Sequence, residues 1–168
     1  ATGVCRSPVC ACATRIARYI GWRDVKFRRR FLANHLHIGD LPDGLFTDAE
    51  AVTIDSETMG LQHGRDPLCV VQLSDGKGEA HLVQLNRETY DAPNLKRVLT
   101  DPKILKIFHF GRFDIAMFHL HLGVVTAPVY CTKIASKLAR TYTDRHGLKD
   151  VSKELLGVDM SKAQQSSD

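Results

Sequence analysis

The sequence predicts an α/β fold with a mixed central sheet, on three observations. Residues 51–58 alternate as a strand and end in two acids. Leu68–Leu73 and Ala80–Leu85 are apolar runs joined by Asp75-Gly-Lys-Gly78, a hairpin pattern. From Ile104 onward, short apolar runs alternate with helical patterns, as in sheets closed by crossover helices.

The chain has 168 residues, enough for one domain with a real core. Hydrophobic residues make up 43% and charged residues 25%, which is ordinary for a globular protein. No apolar run approaches the roughly 20 residues that span a bilayer, and none is of the secretory type. A membrane protein is therefore not expected, and the cytoplasm is the expected compartment.

Residues 1–33 differ from the rest. They hold eight Lys/Arg against one acid, so they carry +7 while the whole chain carries +4. Residues 34–168 are thus at −3, and the basic pI is no argument by itself for nucleic-acid binding. Residues 1–33 are expected to be a disordered or non-native basic extension, and 34–168 the domain proper. Cys5, Cys10 and Cys12 lack the paired spacing of a zinc site. Cys69 and Cys131 stand in apolar runs and read as small buried hydrophobes of a reducing compartment.

Taken in order, His35–Ile38 alternates as a short edge strand and stops at Gly39-Asp-Leu-Pro42. Leu45–Ala49 is a turn or short helix, and the strand from Ala51 follows. The hairpin over 68–85 packs beside that strand. Asn94–Leu99 is a short helix closed by Asp101-Pro102. Ile104–Phe110 is a strand broken at Gly111, and Arg112–Leu122 is a helix ending at Gly123. Val129–Thr132 is a strand, Lys133–Arg140 a helix, and Leu148–Leu156 a helix stopped by Gly157. Asp144 is available to cap that last helix.

The chemistry centres on Asp55 and Glu57. Residues two apart on a strand share a face, so both carboxylates point the same way. A solvated strand end is the plain explanation. The sharper one is a hard-oxygen site for magnesium or manganese. Asp114 opens the helix after strand 104–110. There it either complements the helix dipole or faces the same cleft, since open α/β sheets bind ligands at strand-to-helix junctions.

Ile54-Asp-Ser-Glu-Thr58, Lys106-Ile-Phe-His-Phe-Gly-Arg-Phe-Asp114, Gly147-Leu-Lys-Asp150, Glu154-Leu-Leu-Gly157 and Gln164-Gln-Ser-Ser-Asp168 follow one another in order. Together they resemble the ribonuclease D-type 3′–5′ exonucleases, the DEDD superfamily of the tyrosine subclass, and especially its small nano-RNase C members. The likeness covers about 35–168. It implies an RNase H-like fold, two divalent ions (Mg2+ or Mn2+), and short single-stranded RNA as substrate, released as nucleoside 5′-monophosphates. Asp55 and Glu57 would match the first motif and Asp114 the second. Thr58, Leu61, His109 and Phe110 would contact substrate, with Leu61 as a wedge between terminal bases. Leu61 reads equally as core, and His109 and Phe110 equally as buried strand residues. Members of this kind often form homo-oligomers, so one is expected here.

The third motif of that subclass is a Tyr-x-x-x-Asp. Four residues before Asp168 stands Gln164, so neither the tyrosine nor the fourth carboxylate is expected within these residues. The fold is accordingly expected to be incomplete at its C-terminal end and the chain impaired in catalysis. The alternative is a nucleic-acid-binding or oligomer-assembly module without turnover. A DNA-directed exonuclease is a third possibility, because the metal chemistry ignores the 2′-hydroxyl. Lys133, Lys137 and Arg140 share one helix face, either solvated or aimed at phosphates. Arg140, Arg145, His146 and Lys149 flank the loop before the last helix, and His119 and His121 are expected at the surface.

Overall fold

The computed structural model describes residues 33–159. The basic extension, apart from Ala33, and the stretch from Met160 to Asp168 lie outside the described residues. Six strands and four helices follow in order. They are β1 (Ala33–Ile38), β2 (Ala51–Thr58), β3 (Leu68–Ser74), β4 (Glu79–Gln84), α1 (Pro93–Thr100), β5 (Leu105–Phe108), α2 (Arg112–Leu122), β6 (Val129–Cys131), α3 (Thr132–Ala139) and α4 (Leu148–Leu156).

All six strands form one sheet in the order β1-β4-β3-β2-β5-β6. Only β3 runs against the others: it is antiparallel to β2 and β4, while β1–β4, β2–β5 and β5–β6 are parallel pairs. This is the expected mixed sheet, flanked by helices in the RNase H-like manner. The hairpin places β3 beside β2, as its apolar runs require, with Asp55 opposite Gln72 and Glu57 opposite Val70. The register shifts between Glu57 and Thr58, where β2 ends. β1 is an edge strand, although it starts at Ala33 and so overlaps the expected extension.

The core is the apolar face of these strands against the helices. Val52, Val71, Leu73 and Val83 meet Leu95, Val98 and Leu99 of α1 and Met117 and Phe118 of α2, all fully or nearly fully buried. Burying a Leu, Val or Phe side chain is worth roughly 1.5–3 kcal/mol, so this cluster anchors β2 and α2, the two elements that carry the acids. The α1 N-terminus is satisfied from far away: the Asp40 carboxylate accepts the Asn94 and Leu95 amides at 2.7 and 2.8 Å. That tertiary cap replaces the local one that Ala92 cannot supply.

Helices α2 and α4 have the expected bounds. Each ends on a glycine in the left-handed region, Gly123 at φ 70° and Gly157 at φ 66°, which stops the helix without a Cβ penalty. Three expectations are corrected here. β5 stops at Phe108, not Phe110, because Phe110 turns to φ +70° and leaves the ladder. Asp144 does not cap α4: Gly147 is the N-cap, with no side-chain hydrogen bond, and Asp150 supplies the first-turn acid. Cys69 and Cys131 are free and half-buried, not fully buried.

A second group of contacts ties the C-terminal helices together. Arg140 is 5% exposed, so it is no member of a solvated basic face. Its guanidinium donates to Glu154, to Ser136 Oγ at 2.9 Å and to the Arg145 carbonyl at 2.8 Å. It thereby pins α3, the connecting loop and α4 to each other. His146 is also buried, its Nδ1 3.0 Å from Ser136 Oγ. Of the expected surface histidines, His119 is exposed, but His121 packs on Tyr90 with ring centroids 4.8 Å apart. Among the described residues, no helix is long and apolar enough to cross a membrane.

Candidate active site

β2 and β5 are parallel neighbours, with Thr53 opposite Ile107. Both therefore deliver their C-terminal ends to the same edge of the sheet. Asp55 and Glu57 lie near the end of β2, and β5 leads through a three-residue kink into α2, where Asp114 occupies the first turn. Gly111 is required in that kink, since a Cβ there would stand 2.4 Å from the Phe108 ring. Phe110 beside it holds a left-handed φ that costs a non-glycine residue of the order of 1 kcal/mol. The sharp turn swings Asp114 back toward β2.

That turn brings Asp114 to β2 itself. Asp114 is 9% exposed, and its Oδ1 accepts the Ser56 hydroxyl at 2.5 Å. Burial raises the Asp114 carboxyl above the ordinary range, and the Ser56 hydroxyl opposes that rise. Asp55 is pushed up to about 6, by burial first, then by the charge of Asp114, then by that of Glu57. Glu57 is exposed and touches Gln72 Nε2 at 3.4 Å.

Asp55 is thus the carboxyl that feels its acidic neighbours most directly. Among the described residues, no three His, Cys, Asp or Glu side chains stand close enough to enclose an ion. The donor set itself is all hard carboxylate oxygen and fits Mg2+ or Mn2+ rather than zinc. Ser56 was not singled out in the sequence. By alternation it faces away from Asp55 and Glu57, so no strand pattern connects it to Asp114.

The other expected contact residues fall around this edge. The loop after β2 presents Leu61 at 80% exposure and Met59 at 67%, so Leu61 is not core. That loop is built, not loose. Asp66 is buried, accepts the Gln62 amide at 2.9 Å and pairs with Arg65 at 2.6 Å. Gly60 lies against it so closely that a Cβ would stand 2.2 Å from Asp66 Oδ2. The Thr58 hydroxyl donates to the Gly60 carbonyl at 2.6 Å, so its proton is engaged in the turn.

His109 and Phe110 are not buried strand residues, because β5 has ended before them. Thr132 Oγ1 donates to the Phe108 carbonyl at 3.1 Å and lies 2.8 Å from His109 Nδ1. His109 Nε2 is buried without a hydrogen-bond partner. Burial, and then the charge of Lys133, lower the His109 pKa to about 4, against weak opposition from the His146 backbone. The ring is neutral at physiological pH. A cleft of about 520 Å³, lined by Phe46, Asp75, Glu79 and His81, lies elsewhere and includes none of the three acids. An open edge bearing carboxylates, not an enclosed pocket, is what a chain end of nucleic acid would enter.

Residues 45–168 match the profile of a family described as 3′–5′ exonuclease, and the chain belongs to that family. Within that family its likeness is to the ribonuclease D and NrnC type. It is 33% identical to ribonuclease D of Acidiphilium cryptum over 117 residues, covering 70% of this chain and 29% of that protein. Granulibacter bethesdensis ribonuclease D is 35% identical over the same shares. The chain thus spans under a third of the curated relatives it matches.

Among solved structures, Brucella melitensis NrnC is 54% identical with a TM-score of 0.76, covering 81% of this chain and 66% of that one. The same protein bound to pGG gives 52% and 0.76, over 82% and 66%. Escherichia coli RNase D gives 26% and 0.59, over 72% and 32%. Gln164, Ser167 and Asp168, on which the expectation about the third motif rests, lie outside the described residues.

Proposed function

We propose that this chain carries the site of a divalent-metal-dependent 3′–5′ exoribonuclease that removes nucleoside 5′-monophosphates from short RNA. The observation that carries this reading is that β2 and α2 deliver Asp55, Glu57 and Asp114 to one sheet edge, where burial and then the charges of Asp114 and Glu57 raise the Asp55 carboxyl to about 6. Asp55 would bind both ions, Glu57 one ion and the 3′ end, and Asp114 the second ion. The ions, when bound, would activate water, orient the scissile phosphate and stabilise the leaving oxygen.

The chain's own residues do the rest. Ser56 fixes the rotamer of Asp114 through its hydroxyl. The Asp66–Gly60 lock presents Leu61 as a wedge against the terminal base. An NrnC structure with bound Mg2+ and another with bound pGG support the metal and a short oligonucleotide. Such a substrate goes with a cytoplasmic location, and assembly into a homo-oligomer is part of this reading.

The test is a 5′-labelled short RNA in manganese, with an Asp55→Ala control. Expected is stepwise shortening from the 3′ end, in the chain itself or once a Tyr-x-x-x-Asp helix is joined after Asp168, and its loss in Asp55→Ala. RNA that is bound yet never shortened by either form overturns the proposal in favour of a binding or assembly module.

A further inference from the structure

β1 is an edge strand, joined to the sheet through β4 alone. The pairing is parallel, with His35 opposite His81 and His37 opposite Val83. Leu36 and Ile38 point outward, 63% and 74% exposed, so that face of β1 adds little packing. Alternation puts His35 and His37 on the other face, against His81.

The three rings form a stack. Centroids of His35 and His81 are 4.9 Å apart, those of His37 and His81 5.3 Å, and those of His35 and His37 6.4 Å. His81 is 6% exposed and stands perpendicular to the Phe46 ring of the core, 5.3 Å away. His37 Nε2 and His81 Nδ1 are 3.0 Å apart. That contact holds one proton, because one nitrogen donates and the other accepts. With both rings cationic, both nitrogens carry hydrogen, and the bond becomes a clash of like charges.

The surrounding charge does not offset this. Glu79 on β4 stands 3.8 Å from His35 Nε2 and 3.8 Å from His81 Nε2, but its side chain is 58% exposed. In the turn after β3, Asp75 acts on His81 yet is paired with Lys77 at 2.9 Å, and Asp48 before β2 also acts on Lys77. His35 Nε2 is shielded from solvent without a hydrogen-bond partner. Burial, then the charge of His35, lowers the His37 pKa. Burial, then His35 and His37, lowers that of His81, against Glu79 and Asp75. Freed from the sheet, both rings return to the ordinary value of 6.5, so acid favours release.

We propose that His35, His37 and His81 form a proton-operated clasp, which holds β1 on β4 while the rings are neutral and lets β1 go when they charge. Release bares the β4 ladder, an edge open to pairing with another strand. It also opens the cleft of about 520 Å³ that Ala33, Phe46, Glu79 and His81 line. The clasp uses none of the three acids and does not rest on the exonuclease reading.

The test is amide hydrogen exchange of the full chain at pH 7 and pH 5, read as protection factors, which discount the intrinsic pH dependence of exchange. Asp55→Asn serves as the background, because Asp55 titrates in the same range. Protection of the His35–Ile38 amides should fall at least about tenfold, the effect of one proton over one pH unit. Protection of Leu105–Phe108 in β5 should hold. In the double variant His35→Gln/His37→Gln, β1 should be equally protected at both pH values. An amide side chain both donates and accepts, so it bonds His81 in either protonation state.

Constant protection of β1, an equal loss in β5, or an equal loss in the double variant would overturn the inference. If the double variant leaves β1 unprotected even at pH 7, the ring resonances of His37 and His81 decide. Their titration should track the loss of β1 protection, and rings that charge while β1 stays protected would overturn it as well.

Discussion

At the scale of single residues, Asp55 governs how the domain answers to pH. Its carboxyl titrates near 6 in the folded chain and near 3.8 when unexposed to that environment. Between those values the native state holds a proton that the unfolded state has lost, so stability falls as pH rises through the window. Without metal, the contribution of Asp55 to stability should be full below about pH 4 and lost by pH 7, by an amount of the order of 2 kcal/mol. Asp55→Asn should flatten that fall and melt higher than the unsubstituted chain at pH 7. Adding manganese should stabilise the unsubstituted chain at pH 7 and leave the variant nearly unmoved. Calorimetric scans across pH check all three outcomes, and a melting profile for Asp55→Asn that still falls would show the acid to be solvated.

At the scale of elements, the loop between β2 and β3 positions Leu61 by a contact that no propensity announces. Gly60 in the sequence reads as a strand breaker, and only the fold shows Asp66 filling the space where its Cβ would be. Gly60→Ala should displace Asp66, lower the melting temperature by several degrees, and weaken RNA binding with little effect on metal binding. A variant whose binding is intact would mean that the loop does not position the substrate. The ends of α2 and α4 were legible, because glycines in the left-handed region stop helices by local chemistry. The ends of β5 and the start of α4 were not. Phe110 turns because of contacts to Cys131, and α4 begins at Gly147 although Asp144 is the better capping residue in isolation. The cap of α1 by Asp40 spans 54 residues and leaves no local trace.

At the scale of the whole molecule, apolar alternation was enough to find a mixed sheet and its hairpin, while the strand order and the parallel pairing of β2 with β5 came from the structure. What escaped the pattern is long-range polar chemistry. Arg140 reads as a surface cation by helix spacing, yet it bonds Glu154 and is buried. Lys106 sits mid-strand with no exposure, its ammonium donating to the carbonyls of Asp101, Ile104 and Ala127 at 2.5, 2.9 and 2.5 Å. Those bonds tie the approach to β5 to the approach to β6. Lys106→Met should leave three buried acceptors without their donor and cost about 2–4 kcal/mol in denaturant unfolding. A loss below 0.5 kcal/mol would mean that the carbonyls find water instead.

The parallel pairing of β2 with β5 has one more consequence. Ser56 and Asp114 are 58 residues apart in the chain, with a hairpin and a helix between them. During synthesis, the first acids leave the ribosome well before the strand and helix that complete the cluster. The acids of β2 gain their partner on α2 only once the sheet has closed around them.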